Sequence, residues 1–203
     1  MMTIIQPIAK LRRQAEKRNE NMEGGMSWRV LDFLLYLLLV MAIVFAIRAV
    51  AFDPVRVDGT SMLDTLQENE IMFVDRLAYV CRMPQRGDII ICYYPEAYYE
   101  QVNKSYNSRV KRVAAVGGDT IETISGKVYV NGKKLDEPYL IDTRTGYQEI
   151  EKQVVPDGCV FVLGDNRAVS IDSRNEAVGP IPFCRIIGKV RGVIYPFDRI
   201  RKP

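Results

Sequence analysis

The chain has 203 residues, with 28 Lys plus Arg against 25 Asp plus Glu, four Cys and no His. The missing His excludes a Ser-His-Asp triad, a Cys-His dyad, an HExxH metal site and a histidine pH switch, so a hydrolase here must take its base from Lys, Asp, Glu, Tyr or an amino terminus. A net charge of +3 is too small to argue for nucleic acid, and 48% hydrophobic residues with 9% aromatics are the mark of a folded protein.

Residues 1–27 are polar, with Lys10, Arg12, Arg13, Lys17 and Arg18 among them. Gly24 and Gly25 end any helix that forms there. Residues 28–52 follow, and Phe33 to Ile47 is an uninterrupted apolar run of fifteen residues. As a helix that run covers roughly 22 Å. Trp28, Val30, Leu31, Ala49, Val50 and Phe52 extend it toward the roughly 30 Å of a bilayer core. Arg29 and Arg48 lie near the ends, where long side chains snorkel. A soluble helix would show a polar face, and this run has none. A cleaved signal peptide would need a small-residue cut site, and Ile47-Arg48-Ala49 is a poor one. The expectation is one uncleaved membrane-spanning helix. The basic residues ahead of it place the preceding tail in the cytoplasm and residues 53–203 on the outer face.

The rest is strand-like. Short β-branched runs recur at 55–57, 71–74, 88–93, 109–113, 120–124, 127–130, 160–162 and 186–193. Turn signals separate them, among them Gly117-Gly118-Asp119 and Asn131-Gly132; the second suits a type I′ hairpin. Residues 95–107 read as a polar, aromatic loop. These features predict a mainly β domain of antiparallel sheets with barrel-like curvature. Tyr93, Tyr94, Tyr98 and Tyr99 fit either an interfacial aromatic belt or internal packing. Cys81, Cys92, Cys159 and Cys184 form no close pair of the kind zinc sites use; disulfides and buried free thiols both remain open.

Two places could carry chemistry. In Val57-Asp58-Gly59-Thr60-Ser61-Met62 a strand ends, a Gly permits an unusual turn, and a Ser follows at the bend. In Val110-Lys111-Arg112-Val113 a Lys sits inside an apolar strand, with Arg112 pointing the other way. A core-facing Lys has a lowered pKa, and a neutral Lys amine can take a proton from a Ser hydroxyl. Each feature alone is ordinary: Ser is a common turn residue, and strand Lys side chains usually snorkel.

Four segments in order change that. After the apolar run come Gly59-Thr60-Ser61-Met62-Leu63-Asp64-Thr65-Leu66 and Arg86-Gly87-Asp88-Ile89-Ile90. Then come Lys111 to Asp119, and Gly164-Asp165-Asn166-Arg167-Ala168-Val169-Ser170-Ile171-Asp172-Ser173-Arg174. Together they resemble the bacterial type I signal peptidases, the Ser-Lys kind. The resemblance implies a membrane-bound serine endopeptidase that cleaves signal peptides from exported preproteins and prefers small residues at positions −1 and −3. It implies Ser61 as nucleophile, Lys111 as general base, and Ser170 as the hydroxyl that orients the Lys amine. Asp172 and Arg174 would form a supporting ion pair. Met62 would line the pocket beside Ser61, and Asp165 with Asn166 would hold the loop. The Ser61 N–H would donate to the oxyanion. The substrate would lie extended against the edges at Val55–Asp58 and Arg109–Val113, with Val55, Val57 and Val113 lining small pockets. The expected partners are secreted preproteins and membrane lipid, with no nucleic acid, no cofactor, no metal and a monomeric chain.

Two positions depart from the family pattern. Gly59 stands where some relatives carry a Ser that adds an oxyanion donor, and Asp64 stands where a Pro is usual. A non-enzymatic relative assisting surface-fibre assembly is the alternative, and it should lack the Ser or the Lys. A Ser-Lys autoprotease repressor would be cytosolic and carry a DNA-binding domain.

Overall fold

The computed structural model describes residues 28–46, 48, 52–63, 65–102, 107–140 and 149–203. The expectations for the tail at 1–27 and for Asp64 lie outside them. The chain divides into two units, residues 1–49 and 50–203. In the first, a helix α1 spans Trp28–Ala46. It has 19 residues, a mean hydropathy of 2.3 and no buried residue, so it is long and apolar enough to cross a membrane.

The second unit is mainly antiparallel β. Its strands are β1 (Phe52–Arg56), β2 (Ile71–Asp75), β3 (Ile89–Cys92), β4 (Arg109–Val116), β5 (Thr120–Ile124), β6 (Lys127–Val130), β7 (Lys133–Lys134), β8 (Gln153–Val154), β9 (Cys159–Leu163), β10 (Ile181–Pro182) and β11 (Ile186–Tyr195). One seven-stranded sheet runs β1-β2-β11-β3-β4-β9-β10, and a four-stranded sheet runs β7-β6-β5-β8. Register shifts on β11 against β2 and β3, and on β4 against β9, add twist and curl the larger sheet. The eight strand-like runs of the sequence all become strands. The two-residue strands β7, β8 and β10 have no sequence period to reveal them.

Residues 95–107 correct one expectation. They hold a helix, α2 (Glu96–Val102), and of the remainder only Pro95 and Asn107 are described. Tyr98 and Tyr99 on it, with Tyr94, are buried. Their rings meet edge to face, with centroids 5.1 Å apart for Tyr94–Tyr98 and 5.4 Å for Tyr98–Tyr99. Internal packing therefore takes these three, and Tyr93 is half-buried. All four Cys are free: Cys92 is buried, Cys159 half-buried, Cys81 and Cys184 exposed.

The positions that matter for chemistry sit where β1, β4 and β9 end. Strand β9 pairs with β4 only from Arg112 onward. Residues Arg109–Lys111 pair with β3 on one side and leave the other side of β4 without a strand. The edge strand β1 runs into the bend at 57–61, which the packing of Val57, Met62 and Leu66 against Met72, Val74, Ile89 and Ile91 holds down. Burying side chains of that size contributes about 1.5–3 kcal/mol each.

Candidate active site

Ser61 sits at the bend after β1. The bend needs Gly59, whose φ of +91° is a left-handed conformation that other residues adopt only with strain. Met62 and Leu66 are sunk in the core on the far side, and Leu66 N–H closes the turn on Met62 O at 2.8 Å. The Ser61 hydroxyl is left facing β4. There Lys111 Nζ donates to Ser61 Oγ at 2.6 Å, although fifty residues separate the two in sequence.

Lys111 is 2% exposed. No ion pair reaches it among the described residues. Burial is the main influence on its amine, and Arg109 pushes the same way; Asp172, Cys92 and Asp165 pull back only in part. The net result is a pKa lowered to about 8. A Lys in that state loses its proton near neutral pH and becomes a usable base.

A loop at 164–174 closes the site from the third side. Asn166 N–H donates to Ser61 O at 3.0 Å, and Asn166 Nδ2 to Thr60 O at 3.1 Å. The loop reaches this close because residue 164 is Gly: a Cβ there would come within 2.1 Å of Ser170 Oγ and 2.6 Å of Ser61 O. Asp172 and Arg174 form an ion pair at 2.8 Å, 0% and 1% exposed, and the fork is completed from Arg174 Nη2 to Asp172 Oδ2 at 2.9 Å. Asp172 Oδ2 also accepts Gly164 N–H at 2.9 Å, and Arg174 Nη2 donates to the carbonyls of Arg167 and Ser170. The pair therefore holds the loop's shape. Ser170 is buried beside Gly164. Its Oγ points at Ile171 O, 3.5 Å away, and makes no hydrogen bond to Lys111.

Asp165 ties the three segments together. Arg112 donates to it in a fork, Nε to Oδ1 at 2.9 Å and Nη2 to Oδ2 at 2.7 Å. Thr65 Oγ1, from the turn that carries Ser61, donates to Oδ2 at 2.5 Å. Arg112 also bonds Gly87 O and stacks 3.9 Å from the centre of the Tyr139 ring. Sequence reasoning set Arg112 on the far face of β4 but gave it no role. Thr65 carried no signal, since its partner lies a hundred residues on.

The hydroxyl of Ser61 opens into a groove of about 430 Å³. Val55, Val57, Gly59 and Met62 lie on one wall, Arg109, Val110 and Lys111 on another, and Tyr94, Val169 and Ile171 complete it. Val113 is not on these walls. It is 1% exposed and packs with Ile90, Tyr94, Tyr98 and Val162 in the core. Its place in the register is taken up by pairing with β9, while the groove ends at Lys111. The Ser61 N–H donates to nothing among the described residues. No group of three Cys, Asp or Glu able to hold a metal occurs among them either.

A family model described as signal peptidase, peptidase S26, matches residues 30–195. The chain belongs to the S26 signal peptidase family. It is 38% identical to signal peptidase I of Bacillus licheniformis over 174 residues, covering 81% of this chain and 89% of that one. It is 33% identical to signal peptidase I S of Bacillus subtilis, covering 91% and 98%. A solved signal peptidase I from Enterococcus faecalis is 28% identical and covers 53% of this chain and 97% of that one, with a TM-score of 0.42. Membership in the S26 family makes the chain a peptidase. The non-enzymatic alternative should lack the Ser or the Lys, and both Ser61 and Lys111 are present.

Proposed function

We propose that this S26 peptidase is a membrane-anchored serine endopeptidase that removes signal peptides from secreted preproteins, with Ser61 as nucleophile and Lys111 as general base. The observation that carries the reading is the 2.6 Å contact between Lys111 Nζ and Ser61 Oγ, made by an amine that burial has pushed down to about 8.

The steps follow from the geometry. Once Lys111 has released its proton, the contact reverses and the amine accepts the Ser61 proton as Oγ attacks the scissile carbonyl. The oxyanion forms beside the Ser61 N–H, which donates to nothing among the described residues. Lys111, now protonated, donates to the leaving amine, and the mature protein departs. Lys111 then deprotonates the water that hydrolyses the acyl-enzyme. Ser170 steers the amine when its hydroxyl turns from Ile171 O. Asp172 and Arg174 keep the Ser170 loop in register. Asp165 joins that loop to the nucleophile turn and to β4.

The substrate lies extended in the groove, pairing with the strand-free side of Arg109–Lys111 and with β1. Gly59, Met62, Val55 and Val57 then shape shallow pockets that admit small side chains at −1 and −3. Val113 supports this wall from behind. The segment 28–52, which contains α1, is the anchor; it joins a cytoplasmic tail at 1–27 to a monomeric catalytic domain at 53–203 on the outer face of the cell membrane.

The experiment is cleavage of a model preprotein by the full-length protein in lipid vesicles. Wild type should cut it once after a small residue. Ser61→Ala and Lys111→Ala should each abolish the cut while leaving membrane insertion and folding unchanged. Cleavage retained in either variant would remove the mechanism.

A further inference from the structure

The nucleophile turn is gripped from a second direction, by the segment that follows β11. After a 3-10 turn at Phe197–Arg199, Arg201 returns to pair with Val193 through two backbone hydrogen bonds, 2.9 and 3.3 Å. The backbone of Arg201 is thereby fixed, and its guanidinium forms a fork with Glu70, Nη1 to Oε1 at 2.7 Å and Nη2 to Oε2 at 2.8 Å. The same Nη2 donates to Thr65 O at 2.8 Å. Arg199 adds a hydrogen bond to the side chain of Gln67.

Glu70 is an unusual partner because it is 1% exposed. Burial works to raise its carboxyl; the bonds from Arg201 and from Gln67 N–H, with the charges of Arg201 and Arg199, outweigh it and hold the carboxyl below its ordinary value. A two-bond fork between a buried carboxylate and a guanidinium fixes the position of both. Thr65 is where the two grips meet: its carbonyl accepts from Arg201 and its hydroxyl donates to Asp165. Ser61 stands four residues before Thr65 on the turn closed by Leu63 N–H to Thr60 O and Leu66 N–H to Met62 O.

We propose that Arg201 is a positioning residue for the cleavage reaction: through Glu70 and the Thr65 carbonyl it sets the 61–70 loop so that Ser61 Oγ stays within hydrogen-bond reach of Lys111. The proposal rests on the assignment of Ser61 and Lys111 above. Arg201 is outside the groove and outside the residues matched by the family model. Its effect therefore falls on the rate of the chemical step and not on substrate binding.

The test compares full-length wild type, Ser61→Ala, Arg201→Met and Arg201→Lys in vesicles with one model preprotein, reading kcat, KM and Tm. Cleavage by wild type but not by Ser61→Ala checks the underlying assignment separately; an inactive wild type would bring down that assignment and this proposal together. Given that activity, Arg201→Met should lower kcat at least tenfold, at a temperature well below its Tm, with KM within twofold of wild type. Arg201→Lys, which keeps the charge but not the fork, should regain part of the loss and still fall at least threefold short. That second variant decides the matter if Arg201→Met does not fold. A lowered Tm with kcat unchanged in both variants would reduce Arg201 to a structural clasp. A rise in KM that accounts for the whole loss would contradict positioning.

Discussion

The two sides of β4 treat a buried cation in opposite ways. On the brace side Arg112 has Asp165, Gly87 O and the Tyr139 ring around it. On the groove side, one residue earlier, Lys111 has the Ser61 hydroxyl and no ion pair among the described residues. The difference separates scaffold from chemistry. A guanidinium in a complete fork is a fixed charge that cannot act as a base. An amine buried without a counter-ion gives up its proton readily, and burial lowers Lys111 to about 8.

The largest effect should come from breaking the groove side. If Ser61 and Lys111 act as the proposed pair, Lys111→Met should lower kcat at least about 1,000-fold, since removing one member of a catalytic pair typically removes most of its contribution. The same variant should gain stability. The folded-state pKa of about 8 lies below the ordinary 10.5, so the folded protein holds fewer protons than the unfolded chain between those two values. Wild-type stability must then rise with pH across that window, and below it the full penalty of the buried charge applies. Urea unfolding at pH 7 should show Lys111→Met more stable by up to about 3 kcal/mol, with the advantage shrinking above pH 8 and gone near pH 10.5.

A smaller effect on rate should come from breaking the brace side. Asp165→Asn leaves the Arg112 guanidinium, 8% exposed, without its counter-ion. Stranding one member of a buried pair costs about 3–5 kcal/mol, which a urea titration would read directly. The rate should fall only about tenfold, because Ser61 and Lys111 themselves are untouched and Asn can still accept one bond from Thr65. A loss of rate as large as that of Lys111→Met would erase the distinction between the two sides.

How much of this was legible in the sequence follows from the range of the interactions. Strands such as Thr120–Ile124 and Lys127–Val130 announce themselves by β-branched runs and the Asn131-Gly132 turn, all local. The helix Glu96–Val102 hid because its two Tyr residues suit strand, belt and core alike; only the ring contacts with Tyr94 choose among them. Ser61 and Lys111 were each unremarkable and gained meaning from four ordered motifs. Arg112–Asp165 and Arg201–Glu70 span 53 and 131 residues and left no local pattern at all. Val113 does share Lys111's strand face by alternation, but β9 pairs alongside it where the groove has ended, and it packs in the core.

The central claim is that a neutral Lys111 starts the reaction, and the pH dependence of kcat/KM for the full-length protein tests it most directly. Across pH 6 to 10, kcat/KM for a preprotein free of titrating groups near its cut site should rise as one proton is lost, with an apparent pKa of about 8, and then level off. A profile that is flat through this range, or that falls as pH rises from 6 to 8, would contradict Lys111 as the base.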